Sequence, residues 1–366
     1  MQILFINSIQ MFGGGEVWML RTLKGLRDRG HRVYLICRSG SELESRAEEL
    51  GIKVKSFNIK GDFGPLTIFR TWKFIKQQKI QIVLTNMDKE LRFGGIAAKC
   101  AGHCVIIPRR GIDYPLKNKI QYKFTYNYLA DFIIANSFAT KRALLRNVPW
   151  LKPEKIKVIY NGIEPEPFTS SPADDMRTTW SENPDAKFIG FVGQLDQRKG
   201  IYELIRAFAG AQGKFKNAHL VMAGEGPLLN EIKAFCAENN LTGNVHLLGF
   251  QDQIDEIMKA IDCLVLPSWW EGFGIVLIEA MAAAKPAITT NVSSMPEIVV
   301  NRETGLIVPV KNVDALTDAL LEILQHPERA RKWGEQGKQR VLKKFTIKRM
   351  LDEIEALFEL SVSEMK

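Results

Sequence analysis

The sequence predicts an α/β protein built from two Rossmann-like parallel-sheet domains facing across a cleft, and three observations predict it. The chain has 366 residues, more than one hydrophobic core usually serves. It opens twice in the same way, with an apolar strand, a glycine-rich or polar loop and a helix. Behind each opening, continuous apolar runs alternate with helical segments, the pattern of parallel sheets covered on both faces.

The first opening is a strand over 3–7, a loop through Gly13, Gly14, Gly15 and Glu16, and an amphipathic helix over about 17–29. Further strands are expected over 33–37, 82–85, 105–107 and 132–135. A boundary falls near the Asn161-Gly162 turn, giving a first domain of residues 1–164. Pro165, Pro167 and Pro172, with neighbouring Ser and Thr, then read as a linker. The second domain, 165–345, opens with a strand over 188–193, a polar loop through Lys199 and Gly200, and a helix over 201–209. Its later strands are expected over 220–223, 245–248, 263–266 and 287–290. The last segment, about 346–366, alternates apolar and charged residues at helical spacing. Ligands of such sheets bind at the carboxyl ends of the strands.

Composition is that of a globular protein, with 46% hydrophobic and 25% charged residues. No apolar run approaches the ~20 residues that cross a bilayer, and the opening strand lacks a basic start and a cleavage site. The expected location is therefore the cytoplasm. Five scattered cysteines fit a reducing compartment. Cys100, His103 and Cys104 lack a second pair to complete a tetrahedral zinc site, so no metal is expected. Residues 1–164 hold 28 Lys and Arg against 13 Asp and Glu, whereas the remainder is net acidic. A basic first half attracts acidic substrates or anionic membrane surfaces, and without a reading motif nucleic acid is not expected. Lys117, Lys119 and Lys123 interleave with Tyr122, Phe124, Tyr126 and Tyr128 in an expected helix. Such a helix either holds to lipid headgroups or packs its aromatics on the sheet.

The chemistry concentrates in Glu271-Gly272-Phe273-Gly274-Ile275 and the helix that follows, expected to run to Ala284 before Lys285-Pro286. Glu271 lies in the loop and Glu279 about one turn into the helix. Between them, amides at Phe273, Gly274 and Ile275 sit at a positive helix end that attracts phosphate. Two carboxylates flanking a phosphate centre suit a nucleotide diphosphate sugar, one for the sugar and the other for the ribose. Two incidental glutamates on a buried helix are the plain alternative. Arg198 and Lys199, in the loop after the second opening strand, suit a leaving diphosphate, since fixed cations stabilise charge that grows as the glycosidic bond breaks. The glycines at 13–15 let backbone amides approach an anion, or simply make a tight turn. Glu16 suits a helix start. Trp269 and Trp270 can stack on a sugar or wedge the loop.

Glu271-x7-Glu279, with Pro267-Ser268, Gly272-Phe273-Gly274 and Ala280 around it, resembles the E-x7-E motif of retaining glycosyltransferases of family 4, and the likeness runs nearly end to end. That resemblance implies the two-domain GT-B fold, with the terminal helix crossing back onto the first domain. It implies that Gly14 and Gly15 meet the donor diphosphate and sugar, and that Lys199 is the lysine of a Lys-Gly pair. Gln194 stands where the family usually has an arginine, Phe250 and Gln251 where it reads the base, and Gly224 to Pro227 at a turn lining the donor pocket. No histidine follows the strand over 105–107. Arg109 and Arg110 stand there instead, either to grip an anionic acceptor or donor phosphate or as a salt-bridged loop.

The expected function is thus retaining transfer from a nucleotide diphosphate sugar, with a UDP-sugar favoured and GDP-mannose the alternative. The expected acceptor is a cell-envelope glycan or glycolipid, with no metal or other cofactor and a peripheral hold on the inner face of the cytoplasmic membrane. A catalytically weak nucleotide-sugar-binding protein of the same fold remains an alternative. An NAD-dependent oxidoreductase is disfavoured, because neither opening carries Gly-x-Gly-x-x-Gly.

Overall fold

A computed structural model of the protein describes residues 1–59, 61, 63–169 and 174–364. Pro172 of the expected linker and the last two residues of the expected terminal helix lie outside them. The chain divides into two compact units, Met1–Asn161 with Lys348–Lys366, and Gly162–Ile347.

In the first unit, β1 (Gln2–Asn7), β2 (Arg32–Arg38), β3 (Lys53–Phe57), β4 (Ile82–Thr85), β5 (Val105–Arg110), β6 (Ile133–Ala135) and β7 (Ile156–Val158) form a parallel sheet ordered β3-β2-β1-β4-β5-β6-β7. The order reverses between β1 and β4, where Ile3 pairs with Ile82 and Ile6 with Thr85. Runs such as Ile3-Leu4-Phe5-Ile6 are wholly buried because both faces of the sheet are covered. On one face Leu4, Ile6, Val83 and Ile106 share a core with Phe93 and Ala97 of the helix Asp88–Ala101 and with Tyr126. On the other, Phe5 meets Trp18 of the helix Gly14–Asp28.

The terminal helix, Ile347–Ser363, also packs on this first unit. Trp18 Nε1 lies 3.1 Å from Met350 Sδ, and Gly25 has no side chain where Leu351 presses against it. Arg29 pairs with Asp352 at 2.8 Å and with Glu355, which also meets His31 at 2.7 Å.

In the second unit, β8 (Lys187–Val192), β9 (Ala218–Ala223), β10 (Val245–Gly249), β11 (Cys263–Leu266), β12 (Ala287–Thr290) and β13 (Gly305–Val308) form a parallel sheet ordered β10-β9-β8-β11-β12-β13. Its order reverses between β8 and β11. The segments leading out of and back towards the first unit are bonded to each other: Ile163 N donates to Phe345 O (2.9 Å) and Ile347 N to Ile163 O (2.8 Å).

Several local expectations change. The first helix begins at Gly14, so Gly14 and Gly15 are helical and not loop residues; Gly13 caps the helix in extended backbone and Glu16 closes it from below. β5 runs on through Arg109 and Arg110, which sequence reasoning left in a loop. The helix after Gly200 extends to Lys214, and the one after Gly274 ends at Ala282, because Ala284 turns left-handed at φ 55°. The lysine and aromatic segment is an α-turn, Ile120–Lys123, continuing as a π-helix, Phe124–Leu129. Among the described residues no helix is long and apolar enough to cross a membrane.

Candidate active site

The site in the second unit grows from the place where the strand order reverses, the usual location of ligands in open parallel sheets. The loop after β8 passes Gly193 and Gln194 into a single 3₁₀ turn, Gln197–Lys199. Asp196 caps that turn, its Oδ1 accepting from Lys199 N at 3.1 Å and its Oδ2 from Arg198 Nη2 at 3.2 Å. Gly200 then reverses the chain at φ 70°, and a Cβ there would overlap Pro267 O in the loop after β11. Only glycine fits both the left-handed backbone and that close approach. Trp269 N donates to Arg198 O at 2.8 Å, which ties the two loops together.

The loop after β11 delivers Glu271. Its Oε2 accepts from Lys199 Nζ and its Oε1 from Gly272 N at 3.1 Å. Both charged side chains are largely buried, 12% and 13% exposed, and so form a sheltered ion pair next to the helix Ile275–Ala282. Gly274 starts that helix in left-handed backbone at φ 81°, and no side chain caps it. A second loop supports this one: Ser293 Oγ accepts from Glu271 N (3.4 Å), and Ser294 Oγ donates to Phe273 O (3.0 Å). Glu279 is half-buried and is the fifth residue of the helix.

The fold thus brings together Lys199, Glu271, Phe273, Gly274 and Ile275, with Gln194 and Arg198 on the Lys199 loop. Arg198 leans over Trp270 at 5.6 Å, and Lys311 over Trp269 at 3.9 Å. The turn at Gly224 packs backbone to backbone on Gly193, and Leu195 N donates to Glu225 O at 2.8 Å. Phe250 and Gln251 follow β10 at the edge of the sheet. Phe250 is exposed, whereas Gln251 Nε2 donates to Leu248 O at 2.8 Å.

The remaining candidates belong to the first unit. Gly14 has open space where a Cβ would go, while Gly15 lies 3.0 Å from Asn86 Nδ2 by the same measure. Arg109 is only 4% exposed and stacks over Trp18 at 4.0 Å. Its guanidinium donates to Asn86 Oδ1 (3.3 Å) and Asn161 Oδ1 (3.0 Å). Burial pulls its pKa down to about 9, against the attraction of Glu16. Arg110 pairs with Asp88 at 2.8 Å and donates to Tyr126 Oη at 3.3 Å. Neither arginine therefore stands in a loop as a freely offered cation.

Asp196, Ser293 and Ser294 were not anticipated. Asp196, three residues before Lys199, has the spacing of a turn cap and was findable. The two serines come from the loop after β12, and only the sheet order brings them near. Glu16, expected at an ordinary helix start, is buried between Asn7 Nδ2 (2.7 Å) and Gly13 N (3.1 Å). Among the described residues no three His, Cys, Asp or Glu side chains are grouped to hold a metal ion.

Two family models match this chain in tandem. The one described as Glycosyltransferase Family 4 covers residues 12–167, and the one described as Glycosyl transferases group 1 covers 173–340. An uncharacterized glycosyltransferase of Methanocaldococcus jannaschii is 34% identical over 209 residues, 54% of this chain and 51% of that protein, so the match spans about half of that relative. The UDP-Gal:alpha-D-GlcNAc-diphosphoundecaprenol alpha-1,3-galactosyltransferase of Escherichia coli is 25% identical over 343 residues, 88% of this chain and 87% of the relative. Among solved structures, Anabaena HepE in complex with UDP aligns with a TM-score of 0.86 at 21% identity, covering 98% of this chain and 100% of HepE. A glycosyltransferase from Rickettsia africae aligns at 0.88 and 21%, over 99% and 98%. These two likenesses show the fold. With the two models in tandem over most of its length and a sheet in each unit of the same parallel kind, the chain belongs to glycosyltransferase family 4 and has the GT-B fold.

Proposed function

We propose that the protein transfers a sugar, with retention of configuration, from a nucleotide diphosphate sugar to a hydroxyl of a cell-envelope glycan or glycolipid. The observation that carries this reading is the sheltered Lys199–Glu271 pair beside the uncapped helix start at Gly274. When donor binds, the Lys199 ammonium exchanges its carboxylate partner for a phosphate oxygen. Glu271 is then released to accept hydrogen bonds from the donor sugar, and Glu279 takes the ribose hydroxyls. The glycosidic C–O bond breaks with its electron pair passing to the diphosphate oxygen. Lys199, Arg198 and the amides at Phe273 to Ile275 offset that growing charge, and no metal is required. The acceptor oxygen bonds to the anomeric carbon on the same face, and its proton passes to the departing phosphate oxygen.

A UDP-sugar is favoured over GDP-mannose, supported by the UDP-galactose named for the Escherichia coli relative and the UDP bound to HepE. That relative's diphosphoundecaprenol acceptor supports a lipid-linked acceptor here. Work on such a lipid suits a protein held peripherally on the cytoplasmic face of the membrane.

Sugar release from UDP- and GDP-sugars tests the reading. Lys199→Ala is expected to lower turnover about a hundredfold to a thousandfold, the scale of losing one transition-state charge partner. EDTA is expected to leave turnover unchanged. A folded Lys199→Ala protein with undiminished turnover would overturn the assignment. Binding of UDP-sugar without release or transfer would instead favour a protein that only binds it.

A further inference from the structure

The first unit carries a surface for which the transfer reaction has no use. From Tyr114 to Ala130 the chain has three lysines and no acidic residue. The α-turn Ile120–Lys123 running into the π-helix Phe124–Leu129 gives this segment two unlike faces. Thr125, Tyr126 and Leu129 are buried and Tyr122 packs against the core. On the opposite face Ile120, Phe124 and Tyr128 are 81%, 46% and 62% exposed. These three recur at every fourth position. An α-turn closes before the fourth residue and a π-turn after it, so one of each brings all three close to a single line. The Phe124 and Tyr128 rings stack at 5.2 Å, which makes the stripe continuous. Lys117, Lys119 and Lys123 are all exposed around it.

Large apolar side chains bordered by cations fit the boundary between headgroups and acyl chains of an anionic bilayer. A second copy of the chain fits less well, because a two-fold contact would set these lysines against their equivalents. The excess of Lys and Arg over residues 1–164 adds a long-range attraction of the same sign.

We propose that this segment docks the protein on an anionic lipid surface, with Ile120, Phe124 and Tyr128 entering the interface and Lys117, Lys119 and Lys123 meeting headgroup phosphates. The proposal rests on the glycolipid-acceptor reading for its purpose, but the docking itself is independent of the donor chemistry.

The test is co-sedimentation of the full chain with phosphatidylcholine vesicles, with and without phosphatidylglycerol, using two triple variants. One carries Ile120→Ser, Phe124→Ser and Tyr128→Ser; the other carries Lys117→Gln, Lys119→Gln and Lys123→Gln. Wild type is expected to bind only the anionic vesicles, and each variant to partition about tenfold more weakly or worse. Hydrolysis of a soluble UDP-sugar is expected to be unchanged in both, so its absence in wild type would count against the transfer reading and not against docking. Equal binding to both vesicle types, no binding, or wild-type partitioning of the variants would overturn the proposal. So would a wild-type dimer that the serine variant converts to a monomer, since the stripe would then join two copies.

Discussion

Glu90 is sealed from solvent, and its two oxygens accept from Ser8 N (2.6 Å), Ser8 Oγ (3.0 Å), Asn86 N (2.8 Å) and Met87 N (2.8 Å). It thereby fastens the end of β1 to the end of β4. Burial pushes its pKa up to about 7, against the pull of those four bonds. Because this value lies above the ordinary 4.5, the group's contribution is fully present below pH 4.5 and is lost as pH rises through about 7. Glu90→Gln turns an amide NH₂ towards backbone donors and is expected to destabilise the fold by about 1–3 kcal/mol. Urea unfolding would register this as a lower midpoint at unchanged slope. In the sequence, Glu90 looks like any acid in a first helical turn. Lys199 and Glu271 were far more legible, since Gly200, Gly272 and Gly274 mark their loops.

Among the elements, the edge strand β10 and its neighbour β9 hold an unusual stack. His219 and His246 face each other with ring centroids 5.3 Å apart and Nδ1 to Nε2 at 3.1 Å, between Phe188 and Trp180. Burial lowers the pKa of both, and the neighbouring His219 lowers that of His246 further. With folded values below the ordinary 6.5, the unfolded chain binds protons first, so stability falls as pH drops through 6.5 and is unaffected above it. Thermal melts between about pH 7 and 5 are expected to show a smaller drop for His246→Gln than for wild type. Strands buried along their whole length, such as β4, β11 and β12, were legible to the residue. β3, Lys-Val-Lys-Ser-Phe, was missed because an edge strand is partly solvated and its polar positions read as loop. The two arginines of β5 were misplaced for a related reason: a cation in a strand interior needs a special partner, and Trp18 supplies it to Arg109.

For the molecule as a whole, the terminal helix is structural material for the first unit. Met350, Leu351, Ile354, Leu357 and Phe358 are all buried. At about 1.5–3 kcal/mol for each such side chain, their sum rivals the entire ~5–15 kcal/mol stability of a domain. Deleting residues 348–366 is therefore expected to leave the first unit without a cooperative unfolding transition and with strong binding of a hydrophobic dye. A truncated protein whose calorimetric trace matches wild type would contradict this. Helical spacing alone made the helix legible, but which surface it covers required coordinates, because periodicity names a buried face without naming what buries it.

The same division of the chain has a consequence during synthesis. Residues 1–161 leave the ribosome first, yet the seventeen-residue helix that completes their unit is translated only after Gly162–Ile347 has been made. At ordinary elongation rates the wait is roughly ten to forty seconds. Throughout that interval Trp18 and its neighbours lie bare to chaperones, and the later-born unit is fully translated before they are covered.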